Sequence, residues 1–488
     1  MQPTPAPAEV GDSPASSSGA AFGDDHAGRA QIPRWMLLAI LIVAQALFAR
    51  FMSQQPSLGV IQAVAIILLI LYGGIRRNVA MLLCVTAYLP GAEITWRQSQ
   101  VPIPYMLAPY LMIGVALLAI TTSYPHLNRV GRLAVMYFLL MLPASLITYS
   151  TAPAAARQLV AFALAGPAAL AALVALCSQL TIHTWLYRRI LWIMLISGIG
   201  PIAIALTAIT DYIGNYGAID FATESNFITS GGFGPVQVSS LMGLTVLVGL
   251  LLVLVEDEFL PRLLAGAVAL LSMVQSFLTF SRGGMFATAI AGGALALSQA
   301  TDRRGRRRVL LVVLATFAVG YFVVIPRVDA YTQGQFDKRF GTTETGRTTL
   351  ASGDLRLFRN NLLLGAGTGM SKYRNISYET CRLRTDRCNT EAASHTEFTR
   401  VLAEHGLAGV ATIVLMGMMI LHGFRRAGPS LGLTVCFVTW AIAQMFYANL
   451  RIAAVPFAFA FAFVRVRSEP DPAPPDDDAD PALAPAGP

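Results

Sequence analysis

The chain has 488 residues, 55% of them hydrophobic and 13% charged, with 35 Lys and Arg against 27 Asp and Glu for a formal charge of +8. Its mean hydropathy is +0.59, whereas a soluble domain of ordinary composition carries about 25% charged residues. These figures exclude a soluble enzyme, a disulfide-stapled secreted scaffold and a disordered protein, and leave a polytopic membrane protein.

Residues 1–32 are rich in Ala, Pro, Gly, Ser and Asp, with no apolar core before a small-residue cleavage site. They predict a disordered cytoplasmic tail and a first span that stays as an uncleaved anchor. Apolar runs then predict spans near 34–52, 57–75, 79–93, 101–121, 130–149, 155–177, 190–209, 236–255, 262–280, 284–299, 309–326, 406–422, 429–447 and 452–466. The runs 79–93 and 452–466 are short and compatible with re-entrant segments, so the expectation is an all-α polytopic membrane protein of about 12–14 transmembrane helices. Helices 1–11 fall in 33–326, a periplasmic loop domain in 327–405, the C-terminal helices in 406–467 and a second disordered tail in 468–488.

Basic residues orient these spans. With the N-terminus inside, cytoplasmic loops carry Arg76 with Arg77, Arg129 with Arg132, Arg188 with Arg189, Arg262, the run from Arg303 to Arg308, Arg425 with Arg426, and Arg465 with Arg467. The alternate short loops hold little beyond Arg97, Arg282 and Arg451. Both termini are therefore expected in the cytoplasm.

The long segment at about 327–400 falls outside. It holds Cys381 and Cys388, while Cys84, Cys177 and Cys436 lie within spans. Two neighbouring thiols in an oxidising compartment predict a loop-closing disulfide. The segment is also basic, with Arg327, Lys338, Arg339, Arg347, Arg356, Arg359, Lys372, Arg374, Arg382, Arg384, Arg387 and Arg400. Long loops are translocated whatever their charge. An anionic ligand is the other explanation, because guanidinium groups bind phosphate bidentately.

Arginines at membrane depth are more informative, each costing at least about 2.5 kcal/mol at mid-bilayer. Arg97 follows Glu93, Arg157 begins a span, and Arg282 ends one within Thr279-Phe280-Ser281-Arg282-Gly283-Gly284. All three converge on the outer ends of their spans. Interfacial snorkelling, with Arg97 pairing Glu93, accounts for them equally simply. The glycines after Arg282 also favour close backbone approach to a ligand.

Ser394 and Glu397 have capping-box spacing, which predicts a helix starting at Ser394 with His395 in its first turn. The positive helix end disfavours an imidazolium, leaving a neutral His395 able to accept a proton beside an anion site. A histidine that merely decorates a loop-to-helix turn is the alternative. His405 before Gly406 reads as a helix terminus. Gly365-Ala366-Gly367-Thr368-Gly369 lacks the strand-GK[ST]-helix setting of a phosphate loop and reads as a turn. Gly231-Gly232-Phe233-Gly234-Pro235 predicts a non-helical bend before the next span. No metal motif, nucleophile elbow or nucleic-acid signature is evident.

Thr279 to Gly284, a long outer loop, and Ser394-His395-Thr396-Glu397-Phe398 running into Leu402 to Gly409 together resemble the O-antigen ligase and O-antigen polymerase superfamily of membrane glycosyltransferases. Gly346-Arg347 is similar to the family's outer-loop arginine, and Asn360 to Gly367 to its Gly-rich turn. The resemblance covers about 230–410. Thr396 replaces the usual Asn after the histidine, and no Trp follows the outer-loop arginine.

The resemblance implies a GT-C-like, metal-independent, inverting glycosyltransferase without cofactors. Its donor would be a glycan on undecaprenyl diphosphate, and its acceptor a sugar hydroxyl on a lipid-linked repeat or a lipid A core. Catalytic roles fall to His395 as base and to Arg282 and Arg347; diphosphate contacts fall to Arg157, Arg97, Arg356 and Glu93. A polymerase of O-antigen or exopolysaccharide, assisted by a chain-length-regulating copolymerase, is the first expectation. A ligase to lipid A core or to protein is the second. A transporter or flippase also fits buried arginines, but calls for internal repeats that the two halves do not display.

Overall fold

The computed structural model describes residues 32–124, 126–217, 219, 221, 225–298, 303–341, 347–374 and 394–467. The chain is an all-α, multi-pass membrane protein. Eleven helices among the described residues are long and apolar enough to cross a membrane, and Leu107–Ser123 and Gly283–Ser298 are shorter apolar helices. Helices are the natural form for such runs, since hydrocarbon offers backbone amides no other partner.

In chain order come α1 (Arg34–Gln54), α2 (Ser57–Ile75), α3 (Val79–Gln98), α4 (Leu107–Ser123), α5 (Arg129–Leu139), α6 (Ala144–Thr151), α7 (Pro153–Cys177), α8 (Thr184–Ser197), α9 (Ile199–Tyr216), α10 (Pro235–Val255), α11 (Phe259–Leu278) and α12 (Gly283–Ser298). Then follow α13 (Arg303–Val319), a π-helical turn at Gly320–Val324, α14 (Ile325–Tyr331), α15 (Gln335–Gly341), α16 (Arg347–Asn360), α17 (Ser371–Arg374), α18 (Glu397–Arg426), α19 (Leu431–Met445) and α20 (Ala454–Phe461). Strands β1 (Thr181–His183) and β2 (Arg465–Arg467) pair in parallel, Thr181 opposite Arg465.

Three of the expected spans differ: the run 130–149 is broken into α5 and α6, and the two short runs take other forms. The run expected to stop at 93 continues as α3 to Gln98, because Glu93 and Arg97 pair with each other inside the bundle. The run 452–466 forms only the eight-residue α20, buried along its length, before turning into β2. Eight residues rise about 12 Å, well short of a bilayer core. Between α19 and α20 the chain is non-helical from Phe446 to Ala453.

Apolar on all sides, α10 is the buried centre, packed against α8, α11 and α12. It meets α12 at very close range. A Cβ at Gly284 would lie 1.8 Å from the Ser239 carbonyl oxygen, and one at Gly243 would lie 2.4 Å from the Gly284 oxygen. Small residues at membrane helix crossings allow this approach.

Candidate functional site

Arg282 stands where α11 hands over to α12. Phe280 adopts the left-handed region (φ 57), rare for a large side chain. It is held there by full burial against Phe221 (centroids 5.3 Å apart) and Phe336 (5.8 Å). Thr279 Oγ1 donates to the Ser276 carbonyl (2.7 Å) and accepts from the Ser281 amide (3.2 Å). Ser239 Oγ donates to the Ser281 carbonyl (2.9 Å) and accepts from the Gly284 amide (3.2 Å). Gly283 backs onto the Tyr447 ring, 3.0 Å from where its Cβ would be. Half-buried Arg282 therefore projects from a turn fixed on three sides.

The helix carrying the histidine motif starts later than its spacing predicts. Thr396, not Ser394, caps α18, accepting from the Thr399 amide (3.1 Å). Ser394 Oγ instead donates to Asp354 Oδ1 (2.9 Å), and Glu397 turns to Arg400 Nε (2.7 Å) and the Leu450 amide (3.2 Å). His395 is thus exposed and lies just before the cap rather than in the first turn. Asp354 also accepts from Thr399 Oγ1 (2.8 Å), which ties α16 to the start of α18.

Arg347 is the first residue of α16, and its side chain lies outside the described part. Arg356 is exposed on the same helix, and Arg157 is exposed on the second turn of α7. Cys381 and Cys388, and with them the expected disulfide, lie outside the described residues.

Beside this motif is a set of buried charges that composition alone did not single out. Arg400 is 1% exposed, ion-paired with Glu397 and lying 3.6 Å from Glu404. Ser371 donates to Glu404 (2.7 Å). The Gly365–Gly369 turn is structural: the Ala366 amide donates to Ala403 O (2.8 Å) and the Gly367 amide to Glu404 O (3.2 Å). Gly406 kinks α18 at φ 59, a conformation suited to glycine. Its α18 neighbour His405 is buried against the Met141 carbonyl. The i, i+3 and i+4 spacing of Glu397, Arg400 and Glu404 was the available signal.

Glu93 and Arg97 form a second buried pair. Glu93 also accepts from the Ala453 amide (2.6 Å), and Arg97 donates to the Tyr105 carbonyl (3.1 Å) with its guanidinium 3.9 Å from the Tyr105 ring centroid. Burial raises the pKa of the Tyr105 phenol, and nearby Arg97 opposes that shift. A cavity of about 190 Å³ opens here, lined in part by Trp96, Arg97, Tyr105 and Phe233.

The break between α19 and α20 joins these parts. Tyr447 lies against Gly283, Phe446 is 4.9 Å from Phe398, Leu450 bonds Glu397, and Ala453 bonds Glu93. The Arg282 turn, the start of α18 and the Glu93–Arg97 pair thereby share one support.

A protein-family model described as O-antigen ligase matches residues 265–414, from within α11 to beyond the Gly406 kink. No curated protein matches the chain.

Proposed function

We propose, for this member of the O-antigen ligase and polymerase superfamily, a glycosyltransferase working at the periplasmic face of the inner membrane. It moves a glycan from undecaprenyl diphosphate to a sugar hydroxyl. The observation that carries the reading is the common support of the Arg282 turn and the α18 start, both within the matched stretch.

In this mechanism His395 accepts the proton of the acceptor hydroxyl as its oxygen attacks the anomeric carbon. The carbon–oxygen bond to the diphosphate breaks with inversion, and undecaprenyl diphosphate leaves. Exposure leaves His395 reachable by an acceptor, and a positioned base contributes about 10²–10⁴-fold. Arg282 and Arg347 stabilise the charge growing on the leaving diphosphate, as fixed donors do. Arg157 and Arg356, both exposed, serve as outer contacts. Glu93 and Arg97, engaged with each other, act by holding the break between α19 and α20. No step calls for a metal or cofactor.

Polymerisation of O-antigen or exopolysaccharide, with a copolymerase setting chain length, is the first reading. The family description favours a second, ligation to a lipid A core. Deleting the gene and sizing carrier-linked glycans separates them: single repeats accumulate for a polymerase, long polymer on the carrier for a ligase. Unchanged carrier-linked glycans would refute both. His395→Ala, expressed normally, is expected to abolish complementation; undiminished transfer overturns the base assignment.

A further inference from the structure

We infer that Arg451, on the break between α19 and α20, is the centre of a binding site for the phosphate groups of a diphosphate ligand. The inference rests on the transferase reading, and adds to it a residue outside the matched stretch.

Depth is the first argument. The Leu450 carbonyl abuts α7 at Gly166, where a Cβ would lie 2.1 Å from the oxygen. Gly166 is roughly 20 Å along the axis from the start of α7. Arg451 is therefore half-buried at that depth of the bundle, where a cation is costly and by default marks a functional position. Non-helical backbone at such depth is tolerated where it is buried in protein or lines a cavity, and transporters use such breaks to hold ions.

The second argument is the absence of a direct partner. Arg97 holds Glu93, and Arg400 holds Glu397 and Glu404. Arg451 makes no hydrogen bond or ion pair with any described residue, and its buried Nε has no acceptor. Its guanidinium lies 5.0 Å from the Phe162 ring centroid. Its charged neighbours are Arg400, Glu397 and Glu404, and both carboxylates are already engaged by Arg400. An anion there would supply the acceptor that this guanidinium lacks.

The third argument is local preference. Two backbone amides of the same stretch, Leu450 and Ala453, already bond carboxylates, those of Glu397 and Glu93. Phe446 and Tyr447 place the stretch against Phe398, three residues after His395, and against Gly283, beside Arg282. A planar guanidinium suits bidentate contact with phosphate. A phosphate at Arg451 would therefore be held by the same stretch that supports the two motifs to which catalysis is assigned.

The test is ligand-dependent thermal stabilisation of the purified full-length protein in detergent, titrated with farnesyl diphosphate, inorganic pyrophosphate and, as an anionic-lipid control, phosphatidylglycerol. Wild type and His395→Ala are expected to bind farnesyl diphosphate alike. Arg451→Gln is expected to weaken that binding at least tenfold, and Arg451→Lys, which keeps charge but not the fork, to an intermediate degree. If Arg451→Gln unfolds without ligand, Arg451→Lys against wild type decides. Equal affinity for inorganic pyrophosphate identifies the free anion as sufficient; preference for the prenylated form identifies a lipid-linked ligand. Binding unchanged in both variants while Arg282→Gln weakens it overturns this inference and leaves the transferase reading intact. A wild-type protein that binds no diphosphate, or phosphatidylglycerol equally well, overturns the Arg451 site and counts against the transferase reading as well.

Discussion

The Glu93–Arg97 pair offers a test in which stability and catalysis make opposite forecasts. Glu93 is 2% exposed, and the Arg97 side chain 6%. Glu93→Gln keeps an acceptor for the Ala453 amide but removes the charge that matches Arg97. Leaving one member of a buried ion pair uncompensated costs about 3–5 kcal/mol. Arg97→Met leaves Glu93 with the Ala453 amide, and places an apolar chain where Tyr105 and Phe233 already cover the guanidinium at 3.9 and 5.6 Å. The double variant should therefore cost less than the two single costs together, with a coupling of about 2–3 kcal/mol. Thermal unfolding in detergent, read as loss of the monodisperse species, checks this. At about 2 °C per kcal/mol, the low end of the range for smaller proteins, Glu93→Gln is expected to lower Tm by roughly 6–10 °C, with the double variant recovering part of the loss. Additive losses, or an Arg97→Met variant of wild-type stability that cannot bind diphosphate, would refute the pair as structural and return Arg97 to the ligand.

Three other substitutions test the supports of the site. Gly284→Ala meets the Ser239 carbonyl 1.8 Å away. Backbone there cannot yield, so a loss of about 1–3 kcal/mol or more is expected as reduced folded yield, with Gly293→Ala on the same helix, in open space, as the neutral control. Thr396→Ala removes the cap of α18 and is expected to cost about 1 kcal/mol, with activity falling more than stability because the residue adjoins His395; equal effects on both would argue against positioning. Asp354→Ala releases both Ser394 and Thr399 and should expose the 394–399 segment to hydrogen exchange, which unchanged protection would contradict.

What was legible in the sequence followed from long-range averages. Twenty-residue apolar windows located the helices, because a bilayer makes burial and backbone satisfaction the same requirement. The motif around Arg282 was legible because its glycines announce a turn. The Gly365–Gly369 segment was rightly read as a turn for want of a phosphate-loop setting, and its amides are spent on Ala403 and Glu404. Where competition between partners decides, the sequence was a poorer guide. Ser394 and Glu397 have the spacing to cap each other, yet Asp354 and Arg400 claim them, and both partners are fixed only by tertiary packing.

The same physics hid Arg451. In sequence it resembles an interfacial arginine ending a short apolar run, and the hydropathy of 452–466 suggested a span. Only the fold makes that run a half-length helix, with the preceding Leu450 and Arg451 lying against Gly166. An arginine's cost depends on depth and on its neighbours, and neither is a property of a window. Arg97 and Arg400 are buried more fully and are matched by carboxylates on their own helices, one turn away. Arg451 has no carboxylate at that spacing, on a stretch that is not helical at all. A bonded carboxylate would have been the simple way to settle it in the bundle, and the absence of one among the described residues is what points to an anion from outside.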